Sequence, residues 1–201
     1  MLGAMTSATF HSRHSIRLPG YDYTQAGAYF VTICAREREC LFGEVADGKM
    51  RMNKYGEIIQ RTWNDLPNHY QGVELGAFII MPNHVHGIVS IVGAIHESPL
   101  HVTHQQSPER RNKTSDILQR RRMLLSRIVG RFKMVSAKRI NEQREMTGVP
   151  LWQRNYYEHI VRDEESLARI KEYISNNPNQ WDLDRENPMA ISPEPENAWK
   201  L

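Results

Sequence analysis

Cysteine is scarce in this chain, which has only Cys34 and Cys40 among its 201 residues. Two isolated cysteines provide neither a disulfide framework nor the paired CxxC spacing of a structural zinc site. Long apolar runs are also missing, and the longest hydrophobic stretch is far too short to span a bilayer. These absences argue against a disulfide-stapled secreted protein and a membrane protein, and they predict a cytoplasmic location.

Strong net charge is absent too, since 26 basic and 23 acidic residues give a formal charge of +3. The charge is uneven, however. Residues 108–139 hold eleven basic residues and two acidic ones, whereas residues 182–201 form an acidic tail. A basic block in a near-neutral chain is either a solvated helix face or a surface that binds a polyanion such as nucleic acid. Charge alone leaves both interpretations open.

The length and the 40% hydrophobic content fit a single domain over residues 1–201 with one well-packed core. Residues 1–12 are expected to be a flexible start. Residues 93–115, rich in His, Gln, Ser and Pro and without periodicity, are expected to be a flexible insertion. Its three histidines are not expected to bind metal, because histidines in a flexible polar loop usually do not.

Hydrophobic periodicity predicts the order strand, hairpin, helix, strand, strand, helix, strand, helix. The strands are expected at 28–35, 73–80, 84–92 and about 156–161, with a hairpin at 41–52. The helices are expected at 54–66, at 116–143, and from an N-cap at Asp163 to Pro178. Without the hairpin and the last helix, the order is βαββαβ. We therefore predict an α+β fold, a ferredoxin-like antiparallel sheet with helices on one face plus a C-terminal helix.

One stretch carries an unusual pair of histidines, Met81-Pro82-Asn83-His84-Val85-His86-Gly87. The chain is expected to turn at Pro82-Asn83 and to enter a strand. Side chains alternate along a strand, so His84 and His86 share one face while Val85 enters the core. Two imidazoles one pleat apart can share a metal ion, or they can simply be packed and hydrogen-bonded.

The last predicted helix places Tyr173 and Asn177 on one face, because they are four residues apart. A tyrosine hydroxyl is a poor nucleophile, with a pKa of about 10. It becomes useful when a metal polarises the phosphorus that it attacks. Taken singly, Tyr173 fits a core-boundary residue and Asn177 fits a helix end before Pro178. Their combination with His84 and His86 favours a catalytic site.

These residues resemble the single-tyrosine HUH transposases of the IS200-like type, and most of all the branch called REP-associated tyrosine transposases. The resemblance covers most of the chain outside its ends and residues 93–115. Two of the matching stretches are specific. They are Met-Pro-Asn-His-Val-His-Gly at 81–87, and Trp-Gln-Arg-Asn-Tyr-Tyr-Glu-His-Ile at 152–160 followed by Glu-Tyr-Ile-Ser-Asn-Asn-Pro at 172–178.

The resemblance implies that His84 and His86 bind a divalent metal, Mg²⁺ or Mn²⁺, with Asn177 as a third ligand. Other members of the family use Gln at the position of Asn177, and Pro178 is expected to disfavour helical geometry there. Tyr173 would be the catalytic nucleophile. It would attack a phosphodiester of single-stranded DNA, form a 5′-phosphotyrosine and release a 3′-hydroxyl, so that DNA is cleaved and rejoined.

The implied substrates are hairpin-forming palindromes with a short single-stranded guide sequence beside them. Cations along the chain are candidates for binding this DNA by its phosphates, namely Arg13, Arg17, Arg127, Arg131, Lys133, Lys138 and Arg154. The resemblance leaves open whether the protein is a monomer or a homodimer. Two other functions stay open as well, a non-catalytic DNA-hairpin-binding protein and a metal-dependent hydrolase that uses water in place of tyrosine.

Overall fold

The structure is a computed structural model and describes residues 26–92 and 124–191. Within these ranges the chain forms six strands: β1 (Gly27–Cys34), β2 (Gly43–Ala46), β3 (Lys49–Met52), β4 (Val73–Ile80), β5 (His84–Ile91) and β6 (Tyr157–Val161). It also forms three α-helices: α1 (Lys54–Asn64), α2 (Leu124–Arg144) and α3 (Glu164–Asn176). Short 3-10 helices cover Arg36–Arg38, Leu66–His69 and Asn177–Leu183.

Four strands form one antiparallel sheet in the order β4-β5-β1-β6, and β2 and β3 form a separate hairpin. When the hairpin and α3 are set aside, the elements follow one another as βαββαβ. The two strands in the middle of the sheet are the first of this series and the one that begins at His84. This is the predicted ferredoxin-like arrangement, so the α+β fold class is confirmed.

The two faces of the sheet bury different elements. Alternate residues of β1, such as Tyr29 and Val31, face a large core shared with α1 and α2. Phe30 points to the opposite face, where it packs against Ile170 and Ile174 of α3. The prediction of two helices on one face is therefore confirmed, and the C-terminal helix covers the other face. That second face is the one that carries the histidine pair.

Side-chain caps fix where two helices begin. Asn53 accepts hydrogen bonds from the backbone N–H groups of Tyr55 and Gly56 at the start of α1. Asp163 accepts one from the backbone N–H of Ser166 at the start of α3, as predicted. Each cap satisfies a donor that the helix itself leaves unpaired. The cap at Asp163 therefore fixes where α3 begins, and the packing of Ile170 and Ile174 fixes the side that α3 turns to the sheet.

The expectation that Pro178 disfavours helical geometry at Asn177 is wrong. Asn177 has φ −56° and ψ −38°, which are helical angles. The chain passes from α3 directly into the 3-10 helix Asn177–Leu183, with Pro178 near its start. The first turn of a helix tolerates proline because its N–H groups have no partner within the helix. Asn177 thus stays in line with α3 and faces the sheet.

Several predicted segments lie outside the described residues: the arm with Arg13 and Arg17, the insertion at 93–115, the start of the helix predicted at 116–143, and the end of the acidic tail. Within residues 26–92 and 124–191, no helix is both long enough and apolar enough to cross a membrane.

Candidate active site

The histidine pair sits at the start of β5, held by the register of the sheet. Cys34 pairs with His84 and Thr32 pairs with His86 across the β1–β5 ladder. Both imidazoles point toward α3 and are buried, with 0% and 3% of their surface exposed, and their Nε2 atoms are 3.0 Å apart. Val85 is buried on the opposite face. The alternation predicted for this strand is therefore what the structure has.

The Nδ1 atoms of the two imidazoles have different partners. Nδ1 of His84 lies 2.8 Å from Oδ1 of Asn83, and Nδ1 of His86 lies 2.8 Å from the hydroxyl of Thr32. The amide nitrogen of Asn83 donates to the backbone carbonyl groups of Arg38 and Glu186, at 3.0 and 2.6 Å. The outer side of each imidazole is thus occupied, and the two Nε2 atoms face each other inside the site.

Asp184 joins the histidines from the segment that follows the last 3-10 helix. Its Oδ2 lies 3.6 Å from Nε2 of His84, and its Oδ1 accepts a hydrogen bond from the backbone N–H of Glu186 at 2.6 Å. One ligand atom each from His84, His86 and Asp184 lie within 4.8 Å of one another, so the three could hold a metal ion.

Sequence reasoning missed Asp184, which it placed in an acidic tail. Asp184 is 1% exposed, whereas Asp182 two residues earlier is on the surface. No sequence signal separates these two carboxylates, because the distinction depends on how the turn around Asp184 is tied to β5.

Asn177 completes the buried polar cluster. Its side chain is 0% exposed and close enough to His84 and Asp184 to influence the pKa of both. Neither its amide oxygen nor its amide nitrogen has a partner with hydrogen-bond geometry among the described residues. A buried amide without such partners is costly. Asn177 lies beside His84 and Asp184, and an amide oxygen is among the ligands that divalent cations accept.

Tyr173 lies one helical turn before Asn177 on α3 and faces the same site. Its half-buried ring stands edge-on to His86, with ring centroids 5.3 Å apart and planes inclined at 62°. It also meets Phe30 edge-on at 6.2 Å. The structure therefore brings together all four residues that the sequence singled out for chemistry, His84, His86, Tyr173 and Asn177.

Burial governs the protonation of this site. It lowers the pKa of His84 to about 3, which the Asn177 amide opposes in part, and it lowers the pKa of His86 well below the usual value. Burial raises the pKa of the Asp184 carboxyl to about 6. At neutral pH the site then holds two neutral imidazoles and a carboxylate. These are the protonation states that metal ligands need.

The donor set fits a divalent cation. Two imidazole nitrogens and a carboxylate oxygen converge in a buried site. Neither Asp184 Oδ2 nor the Asn177 amide has a hydrogen-bond partner among the described residues. Mg²⁺ prefers oxygen ligands alone, whereas Mn²⁺ accepts imidazole more readily. The neighbouring Cys34 thiol has its pKa raised by burial and by Glu186, to which it donates at 3.4 Å. It therefore contributes no thiolate.

Among the basic residues predicted to bind DNA, the five that the structure describes are not part of this cluster, and Arg13 and Arg17 lie outside the described residues. Arg127, Arg131 and Lys138 lie on α2, which packs on the opposite face of the sheet. Arg127 and Lys138 are exposed, and Arg131 contacts His69 at 2.9 Å. Lys133 instead donates to the backbone carbonyl groups of Gln153 and Arg154, at 2.6 and 3.0 Å. The Arg154 residue itself is exposed in the loop before β6.

The fold and site define a class of protein with a ferredoxin-like sheet, a buried His-x-His pair and a tyrosine on the helix that covers it. Residues 117–177 match the sequence profile of the family described as "Transposase IS200 like". Over this stretch the chain is similar to the IS200-like transposases.

Two proteins of Haemophilus influenzae are similar to the chain. An uncharacterized protein is 38% identical over 182 residues, which cover 89% of this chain and 95% of that protein. A protein named "Putative REP-associated tyrosine transposase" is 24% identical over 160 residues, which cover 78% of this chain and 73% of that protein. A solved REP-associated tyrosine transposase bound to a REP hairpin aligns with 77% of this chain and 67% of its own, at 15% identity and a TM-score of 0.43.

Proposed function

We propose that this protein is a metal-dependent enzyme that cleaves and rejoins single-stranded DNA beside hairpin-forming sequences, with Tyr173 as the nucleophile. The observation that carries the proposal is the contact between the Tyr173 ring and His86, inside a buried cluster that also holds His84, Asp184 and Asn177. A tyrosine placed beside a metal-ligand set is suited to attack a phosphodiester.

His84, His86 and Asp184 would hold a divalent cation, with Asn177 as a further ligand. When bound, the cation withdraws charge from the scissile phosphate and makes its phosphorus more electrophilic. Helix α3 supplies the rigid support for Tyr173, and Phe30 packs edge-on against the tyrosine ring. This packing limits the positions that the ring can take relative to His86.

Cleavage exchanges one phosphorus–oxygen bond for another. The phenol oxygen of Tyr173 bonds to phosphorus while the bond from phosphorus to the 3′ oxygen breaks. The phenolic proton is lost to solvent, and the departing 3′ oxygen takes up a proton. The 5′ phosphate remains on the tyrosine until a 3′-hydroxyl attacks it, which reverses the step and rejoins DNA.

Exposed cations on the far face of the sheet are suited to hold the DNA by its phosphates. We assign this role first to Arg127, which is exposed on α2, and to the neighbouring Arg131. Arg127→Ala should weaken hairpin binding and reduce the slope of log affinity against log salt by about 1. Lys49→Ala, at an exposed position of the β2–β3 hairpin, is the control. An unchanged slope in Arg127→Ala would remove it from the interface.

The deciding experiment is a covalent-adduct assay. The protein is incubated with Mn²⁺ and labelled single-stranded hairpins from the flanks of its own gene, and the products are separated on denaturing gels. We expect an adduct that requires the metal, disappears in Tyr173→Phe and persists in Tyr55→Phe, whose ring packs against the opposite core.

Two other results would point elsewhere. Cleavage without an adduct would indicate a water-dependent hydrolase. Tight hairpin binding without cleavage would indicate the non-catalytic binding protein, an alternative favoured by the near-complete burial of both histidines.

A further inference from the structure

The hydrogen bonds around the histidine pair determine where its protons reside. The amide nitrogen of Asn83 donates to two backbone carbonyl groups, those of Arg38 and Glu186. A flipped amide would turn its oxygen toward two other oxygens and lose both hydrogen bonds. The orientation of the Asn83 side chain is therefore fixed, and its oxygen is the atom that meets His84 Nδ1 at 2.8 Å.

This orientation of Asn83 allows only one position for the proton of the neutral His84 ring. An amide oxygen can only accept a hydrogen bond, so Nδ1 of His84 must be the donor. A neutral imidazole carries one proton, and its Nε2 atom is then an unprotonated lone pair directed into the site. The ring is 0% exposed, and such burial favours its neutral form. His84 thus presents a ligand atom to the site before any metal arrives.

His86 is under a different constraint. Its Nε2 lies 3.0 Å from the unprotonated Nε2 of His84, so without a cation the stable arrangement has His86 Nε2–H donating to His84 Nε2. Nδ1 of His86 then accepts the hydroxyl hydrogen of Thr32, 2.8 Å away. With a cation in the site, Nε2 must give up its proton and Nδ1 must carry one. A hydroxyl serves both arrangements because it can donate or accept.

We infer that Asn83 holds His84 in its Nδ1–H tautomer, and that Thr32 allows His86 to exchange tautomers when a metal ion binds. Asn83 and Thr32 are thus positioning residues of the metal site. Asn83 fixes a single tautomer of His84, whereas Thr32 can hydrogen-bond to either tautomer of His86. This inference rests on the proposed function, because it assumes that the histidine pair binds a cation. The tautomer of His84, however, is a property of the metal-free protein and can be measured alone.

The test uses NMR of the protein with ¹⁵N-labelled histidine, in long-range proton–nitrogen spectra assigned by single His→Gln variants. Without metal, we expect His84 protonated at Nδ1 and His86 at Nε2. With Zn²⁺ as a diamagnetic probe, His86 should change to the Nδ1–H form while His84 stays as it was. A metal-free spectrum with His84 protonated at Nε2 would overturn the inference.

Variants add a thermodynamic measurement, the Mn²⁺ affinity read from the electron paramagnetic resonance of the free ion. Loss of an outer hydrogen-bond partner of a ligating histidine usually weakens metal binding by about 10–100-fold. We expect that loss in Thr32→Val and in Asn83→Ala, and little loss in Thr32→Ser, which keeps the hydroxyl. Asn83→Asp keeps the acceptor and should preserve the His84 tautomer even where the loss of donors lowers stability.

Asn141→Ala is the matched control, since Asn141 is also a buried amide that donates to a backbone carbonyl, that of Val149. It should lower stability without moving the His84 tautomer or the Mn²⁺ affinity. Wild-type Mn²⁺ affinity in Thr32→Val would overturn the role of Thr32. If the wild-type protein binds no Mn²⁺ but His84 has its Nδ1–H form, the proposed function fails and the assignment of Asn83 stands.

Discussion

At the scale of single residues, Asp184 is the group whose role depends most on its surroundings. It is a buried carboxylate with one oxygen held by a backbone N–H and the other facing His84. Burial raises its pKa to about 6, from a usual value of 3.8. In the metal-free protein, a carboxylate whose pKa is raised on folding costs stability once it ionises, and this cost is offset when a cation is bound.

The variant Asp184→Asn tests whether Asp184 is a metal ligand or only a structural residue. We expect Mn²⁺ affinity to fall at least about tenfold, the lower end of what even outer-shell losses cost. Without metal, by contrast, the variant should be more stable than wild type once the Asp184 carboxyl of wild type is ionised. Because the folded pKa is raised, wild type loses stability relative to the variant as pH rises from about 4 to about 6.

The measurements are free-ion resonance for Mn²⁺ and urea unfolding at several pH values. Asp182→Asn, at the exposed carboxylate two residues earlier, is the control and should leave both quantities unchanged. Equal Mn²⁺ affinities for wild type and Asp184→Asn would rule out Asp184 as a ligand.

At the scale of elements, strand β5 must accommodate α1 on the face away from the histidines. A Cβ added to Gly87 would lie 2.5 and 2.6 Å from ring carbons of Trp63 and 3.0 Å from Phe78. The Trp63 ring also stacks on Phe78, with centroids 4.3 Å apart. Glycine at this position is therefore required by close packing, since there is no room for a side chain.

Gly87→Ala should destabilise the protein by about 1–3 kcal/mol, the usual cost of overpacking a core. Gly130→Ala on α2 is the contrast, because an added Cβ there meets nothing within 4 Å. Alanine is the better helix former, so this change should stabilise the protein by about 0.5–1 kcal/mol. Urea unfolding of both variants measures the difference, and a neutral Gly87→Ala would show that Trp63 can move aside.

Helix α2 shows that neighbouring cations can have different roles. The Lys133 ammonium donates to two backbone carbonyl groups before β6, and burial lowers its pKa to about 8. For a base whose pKa is lowered on folding, the unfolded chain binds more protons between the two pKa values. Stability therefore rises with pH from about 8 to 10.5 as the buried charge is lost.

We expect wild type to gain stability relative to Lys133→Met over that pH range. Lys138→Met, at an exposed position on the same helix, is the control. Urea unfolding at pH 7.5, 9 and 10.5 measures the trend. A constant difference between wild type and Lys133→Met would mean that the ammonium is not held in the folded protein as the structure indicates.

Much of the element order followed from the sequence, and the reasons are local. β4 has its predicted bounds because its apolar residues end at Pro82, and α3 begins where Asp163 can cap it. The shared face of His84 and His86 follows from the two-residue repeat of a strand. Asp184 and Lys133 could not be predicted in this way. Their surroundings are set by residues distant in the chain. Asn83 holds the turn of Asp184 by donating to the backbone carbonyl of Glu186, and the backbone carbonyl of Gln153 accepts from Lys133.

At the scale of the whole molecule, one chain supplies every member of the candidate site. Tyr173 lies against His86 of the same chain, with ring centroids 5.3 Å apart. Its helix is also anchored to that chain's sheet through Ile170 and Ile174. We therefore expect the tyrosine to act in cis, so that a monomer is sufficient for cleavage.

A complementation experiment tests this arrangement. Tyr173→Phe and His86→Gln should each lack cleavage, and an equimolar mixture should stay inactive if each site uses its own tyrosine. Both variants should still bind the labelled hairpin, which shows that they are folded. Restored cleavage in the mixture would mean that α3 serves the site of a second copy.

The direction of β5 separates the candidate site from the other end of the sheet. The strand starts at His84 and ends at Ile91, roughly 23 Å away at about 3.3 Å per residue. Val92, directly after the strand, is 51% exposed and lies at the end of the sheet remote from the histidines. A fluorescent reporter attached at this position would therefore report on DNA binding without touching the residues of the candidate site.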